Sequence, residues 1–158
     1  MSAAFTLLAV LASAQDEVKK KSLPRFGIDV NEMLYPQKTP KDAMSSIIVA
    51  LDRKNVDYFL AQIADPTYVE YWVERYKTDF VQGKDEAKRL LAFDRLVRET
   101  SENYQNDPLI VKDLRAFAKG AKWEEMDDLA VGTTEMVPAR KVYLKKIGER
   151  WFLENRQQ

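Results

Sequence analysis

The chain has 158 residues, with 25 Lys+Arg balanced by 25 Asp+Glu and neither His nor Cys. That length suits one domain, and 46% hydrophobic with 32% charged residues is the composition of a globular chain, not a disordered or membrane-embedded one. Zero net charge gives no long-range attraction to nucleic acid or anionic lipid, and the two missing residue types exclude disulfides, ordinary zinc sites and every Ser-His or Cys-His nucleophile.

Residues 1–15 contain no charged side chain. Ala3 to Ala12 form an apolar run of signal-peptide length, far short of a bilayer span of roughly 20 residues. Ala12-Ser13-Ala14 places small residues where a signal peptidase reads them, so residues 1–14 are expected to be removed before Gln15. The alternative is a short buried N-terminal helix. No Cys follows the cleavage point to carry a lipid, and the expected product is periplasmic or secreted.

Residues 15–38 change character. Lys19-Lys20-Lys21, Pro24, Gly27, Asn31 and Pro36 punctuate them, and no period of 3.6 or 2 persists. The expectation is a flexible arm, with Phe26, Ile28, Val30, Met33, Leu34 and Tyr35 available to pin it to a domain. The lysine triplet reads as a solvated patch, with no nucleic-acid role.

Residues 39–158 read as a single domain. Thr39-Pro40-Lys41-Asp42 is a capped helix start, and Met44, Ile47, Ile48 and Leu51 follow as one apolar stripe. Asn55 is expected to cap a short second helix that buries Phe59, Leu60 and Ile63. Asp65-Pro66 opens a third, in which Val69, Trp72, Val73, Tyr76 and Phe80 keep helical spacing to about Gln82 before Gly83. Lys84 to Tyr104 is a longer helix with Ala87, Leu90, Leu91, Leu96, Val97 and Tyr104 inward and a charge-laced outer face. Asp107-Pro108 starts a last one, with Ile110, Leu114 and Phe117 inward and Gly120 as its stop.

After Gly120 the period changes, and Leu129–Glu135, Ala139–Ile147 and Arg150–Arg156 read as strands. Ile147-Gly148-Glu149-Arg150 predicts a two-residue hairpin with Gly148 at the positive-φ position of a type II′ turn. That turn pairs Lys146 with Trp151, Leu144 with Leu153 and Val142 with Asn155, and packs their shared face on the helices. The opposite face carries Lys145, Arg150 and Glu154 together with Tyr143, Ile147 and Phe152. Helices first and antiparallel strands last give an α+β fold: N-terminal helices packed on a C-terminal antiparallel sheet of three or more strands.

The opening with Thr39 and Pro40, the second helix closing on Ala64-Asp65-Pro66, and the last hairpin with Gly148 and Trp151 resemble small exported bacterial proteins of the nuclear-transport-factor-like (cystatin-like α+β cone) superfamily. The matching segments cover about a third of the chain. The resemblance implies helices folded against a curved antiparallel sheet, an architecture that serves enzymes, binding modules and dimerisation domains alike. Enzymes of that superfamily usually need an Asp and often a His inside the cone; this chain has no His, and its helical stretch from Lys84 to Lys119 departs from the simplest pattern.

Two segments invite a chemical reading. In Glu124-Glu125-Met126-Asp127-Asp128, adjacent carboxylates on extended backbone point to opposite faces and lack calcium-loop spacing, so the run reads as a solvated approach to a strand, not a metal site. Tyr68, Trp72, Tyr76 and Phe80 form a stripe expected to be core, with Tyr71 on its edge. Phosphate loops and a nucleophile elbow are absent, so no catalytic residue, metal or cofactor is assigned. The expected function is a non-catalytic module that binds a small ligand or a protein, the alternative being a carboxylate/tyrosine enzyme of the cone fold. Tyr143, Ile147 and Phe152 are the candidate binding residues, covered in the working state by a second copy, a protein partner or the N-terminal arm.

Overall fold

The computed structural model describes residues 24–155. Five α-helices precede a four-stranded antiparallel sheet: α1 Pro40–Asp52, α2 Val56–Tyr58, α3 Pro66–Lys77, α4 Asp85–Asn106 and α5 Pro108–Gly120, then β1 Lys122–Met126, β2 Leu129–Thr133, β3 Val142–Ile147 and β4 Arg150–Leu153. The strands lie in the order β1-β2-β3-β4, each paired with its neighbour in sequence. This is the α+β architecture expected above, and no described helix is long and apolar enough to cross a membrane.

The three proline starts act as helix caps. Thr39 Oγ1 accepts from the Asp42 N–H at 3.1 Å, Asp65 Oδ1 from Thr67 at 3.0 Å and Asp107 Oδ1 from Leu109 at 3.1 Å, each filling one of the donor positions a helix leaves open. Asn55 behaves otherwise: its amide donates to the Tyr35 hydroxyl at 2.8 Å and makes no side-chain cap. The third helix stops at Lys77, short of Gln82, although Phe80 still packs against the core. In α4 the buried line is Ala92, Phe93 and Leu96, while Leu90 and Leu91 face solvent.

Between α2 and α3 the chain widens into a π-helical turn, Phe59–Ile63, closed by the Ala64 N–H on the Phe59 carbonyl at 2.8 Å. All five residues are buried, Gln62 included. A π turn splays side chains in directions an α-helix does not offer. Here that lets Phe59, Leu60 and Ile63 enter the core while Gln62 points into a polar contact with another part of the chain.

The sheet packs one face on the helices. Ala130, Val142, Leu144 and Trp151 share that face and join Met44, Ile47, Leu60, Ile63, Val69, Val73 and Phe117 in one core. Trp123 reaches this face from β1 and lies across Gly132, its register partner, toward Val142. The β3–β4 register pairs Leu144 with Leu153 and Lys146 with Trp151, as the turn geometry requires, with Gly148 at φ 61°. The strand ends at Leu153, so Val142 and Asn155 form no ladder pair.

The Glu-rich segment corrects the sequence expectation: it is strand β1, turned into β2 through Asp127-Asp128 with Asp127 at φ 31°. Aspartate tolerates that left-handed backbone, and the charges of Lys122, Glu124 and Glu125 sit on an edge strand, where they discourage pairing with another sheet. The opposite edge, β4, is occupied by the chain itself. The Trp151 N–H donates to the Gln37 carbonyl at 2.9 Å and the Asp65 N–H to the Leu153 carbonyl at 2.8 Å.

Residues 24–38 lie against the helices. Arg25 to Ile28 form a tight turn with Phe26 at φ 53° and Gly27 at φ 76°. The Phe26 ring stacks on Phe93 at 4.1 Å, Tyr35 is buried against Tyr58 at 4.1 Å, and Met33 is 97% exposed. The proposed leader, residues 1–14, lies outside the described residues.

Candidate functional site

Register alone decides which side chains share the outer face of the sheet. One row across the strands is Met126, Leu129, Lys145 and Phe152; the next is Glu124, Val131 and Tyr143; Ile147 and Arg150 close the hairpin end. The three residues singled out from sequence are therefore together on this face, joined by Met126, Leu129 and Val131. Their environments differ. Tyr143 is half-buried, Ile147 is 41% exposed, Met126 is 51% exposed, and Phe152 is buried. Phe152 stands outside the main core; the Arg150 guanidinium lies over its ring, 4.9 Å from the centroid.

Arg150 is the residue sequence reading undervalued. Its guanidinium turns around the edge of β4 and donates to the Gln37 side-chain oxygen, to the Gln62 carbonyl at 2.7 Å and to the Gln62 side-chain oxygen at 3.4 Å. No carboxylate bonds to it; burial pulls its pKa below the ordinary guanidinium value, and the buried Nε has no hydrogen-bond partner among the described residues. Neutral oxygens and the face of Phe152 carry this cation. The two glutamines are in turn held by main chain, Gln37 Nε2 donating to the Trp151 carbonyl and Gln62 Nε2 to the Ile28 carbonyl, both at 2.7 Å. The network fixes the outer face from behind: Arg150 holds Phe152 in place, and the arm and the π turn hold Arg150.

The helices α3 and α4 meet through ion pairs instead of a ligand platform. Arg89 bridges Glu70 and Glu74, Arg95 bridges Asp79 and Glu99, and Tyr76 donates to Glu99 beneath the Arg95 guanidinium. Within the aromatic stripe, Tyr68, Trp72, Tyr76 and Phe80 are half-buried and packed on the core, and Tyr71 is exposed with its ring edge-on to Trp72. The acidic run places Glu124 and Glu125 on opposite faces of β1. Among the described residues no three His, Cys, Asp or Glu side chains group as metal ligands, and no Asp or Glu is fully buried.

Comparison with protein-family models, with curated proteins and with solved structures gives no match to this chain.

Proposed function

We propose that this is an exported, non-catalytic binding module that takes a polypeptide partner, in the first instance a second copy of itself, on the outer face of its sheet. The observation that carries the reading is the exposed pair Met126 and Ile147, with Leu129 and the edge of Phe152, on the sheet face away from the helix layer. The long helix α4 packs chiefly on α3, with α2 and α5, not across the strands. Lys145 lies among these residues and Lys122 and Glu124 stand on the same face, so charges of both signs are available to a second copy. The absence of a buried carboxylic acid among the described residues supports binding over the carboxylate/tyrosine enzyme, because acid–base catalysis by such groups draws on burial to tune them. Export rests on the Ala3–Ala12 run and on Ala12-Ser13-Ala14, and kinship with the nuclear-transport-factor-like cones on the helix-then-hairpin residues named above.

Ile147→Lys tests the reading. Ile147 is 41% exposed, so a lysine there keeps its charge in water, and monomer stability stays within about 0.5 kcal/mol of the parent. Light scattering over a concentration series is expected to show the parent associating and the variant shifted to monomer. A parent that stays monomeric throughout, indistinguishable from the variant, refutes self-association through this face.

A further inference from the structure

The turn from Arg25 to Ile28 is a strained one. Phe26 and Gly27 both have positive φ, 53° and 76°, as a type I′ turn requires, and the first of these positions suits Asn, Asp or Gly. Bulky side chains avoid that left-handed backbone, so the contacts of Phe26 must offset the strain. They are extensive. The ring stacks on Phe93 of α4 at 4.1 Å, with the Arg25 and Arg89 guanidiniums 5.5 and 5.6 Å from its centroid. Arg25 donates to the Ala61 carbonyl of the π turn at 2.7 Å and pairs with Glu70 of α3 at 3.3 Å.

From this anchor a line of hydrogen bonds leads to the outer sheet face. The Ile28 carbonyl accepts from Gln62 Nε2 at 2.7 Å, and Gln62 accepts from Arg150 through both its main-chain and side-chain oxygens. Arg150 in turn lies over Phe152. The other end of the arm supplies Gln37, whose side-chain oxygen also accepts from Arg150. Among the described residues, every hydrogen bond of the Arg150 guanidinium ends on a residue that the arm contributes, Gln37, or holds, Gln62. No described carboxylate bonds the guanidinium in their place.

We propose that the arm regulates the outer face: docking of Arg25–Ile28 on α3 and α4 seats Arg150 over Phe152 and readies the face to bind, and release of the turn unseats Arg150 and disables it. The proposal rests on the outer face being the binding site. Strain in the turn favours release, while the stacked ring and the Arg25 bonds favour docking, which makes the arm a two-position element. Linkage makes the effect reciprocal, so a partner on the face holds the arm down.

The test compares the folded parent with Phe26→Ala and with the double variant Arg25→Met, Phe26→Ala. Met33→Ala is the control, because Met33 belongs to the same arm and is 97% exposed. NMR of the monomer follows Arg150 Nε–H, which is buried and has no hydrogen-bond partner among the described residues. Its exchange with water should quicken about tenfold in both variants, and the Phe152 signals should shift. Trp123, on β1 at the far edge of the sheet, should keep its indole signal, as should every signal in the control. Light scattering should then show self-association weakened about fivefold. A released arm with Arg150 and Phe152 unchanged overturns the coupling, as does an arm that stays docked in the double variant. A Trp123 shift as large as that of Phe152 means general loosening and overturns it too. Association as tight as the parent's despite a freed Arg150 overturns the regulatory role. A parent that never associates refutes the binding reading and with it the regulation, while Arg150 exchange in the monomer still decides the coupling.

Discussion

Gly132→Ala probes how the sheet closes on the helix layer. A methyl group built on Gly132 would stand 2.7 Å from Val142 Cγ1 and 2.8 and 2.9 Å from two atoms of the Trp123 ring. Carbon atoms rest at roughly 3.5–4.0 Å, so both neighbours must retreat by nearly an ångström. Val142 is buried and β-branched, with little rotamer freedom to yield, which leaves the Trp123 indole to move. Overpacking of this kind costs about 1–3 kcal/mol, and the lower unfolded-state entropy of alanine returns about 0.4–1 kcal/mol. A net loss of about 1–2 kcal/mol follows, or a fall of roughly 2–8 °C in Tm for a chain of this size. Urea unfolding followed by circular dichroism gives the free energy, and tryptophan emission reports the displaced indole. Repeating the substitution in a Trp123→Ala background should recover at least about 0.5 kcal/mol of the cost, since the two side chains share one space. A Gly132→Ala protein as stable as its parent, or an equal cost in both backgrounds, would show that Trp123 does not press on Gly132.

Two further outcomes concern alkaline pH and the N-terminus. Burial first, then the hydrogen bond to Glu99 and its charge, push Tyr76 up to about 12, above the value of about 10 in an unfolded chain; its contribution is complete below pH about 10 and is lost as pH rises toward 12. The stability difference between parent and Tyr76→Phe should therefore shrink across that window, and parallel curves from pH 9 to 12 would discard the linkage. Mass spectrometry of the protein from its own host should find an N-terminus at Gln15, and a full-length cytosolic chain beginning at Met1 would end the export proposal.

The parts of the fold legible in sequence were those decided locally. A cap followed by proline fixes a helix start within four residues, and Gly148 fixes the β3–β4 register, hence which face Tyr143, Ile147 and Phe152 share. Strand β1 was not legible, because glutamates have little strand preference of their own and β1 exists by pairing with β2. The π turn was hidden for a related reason: buried Gln62 finds its partners far off in sequence, Arg150 88 residues away and Ile28 34 residues away. Of the candidate site, the hairpin half followed from periodicity, whereas the addition of Met126, Leu129 and Val131 depended on strand order. The cover of Arg150 over Phe152 depended on a side chain rounding a sheet edge, which alternation does not describe.

The bond between Gln37 and Trp151 spans 114 positions, and it imposes an order on assembly. A ribosome adding about 5–20 residues per second needs roughly 6–23 s to travel from one to the other. Until the final hairpin is made, Gln37 and Gln62 lack the Trp151 and Arg150 partners that they have in the folded chain. The final hairpin supplies Arg150 and Trp151, which join the arm, the π turn and the sheet. The last strand to be made is thus the bolt of the structure: a chain halted before Arg150 lacks the side chain that ties Gln37 to Gln62.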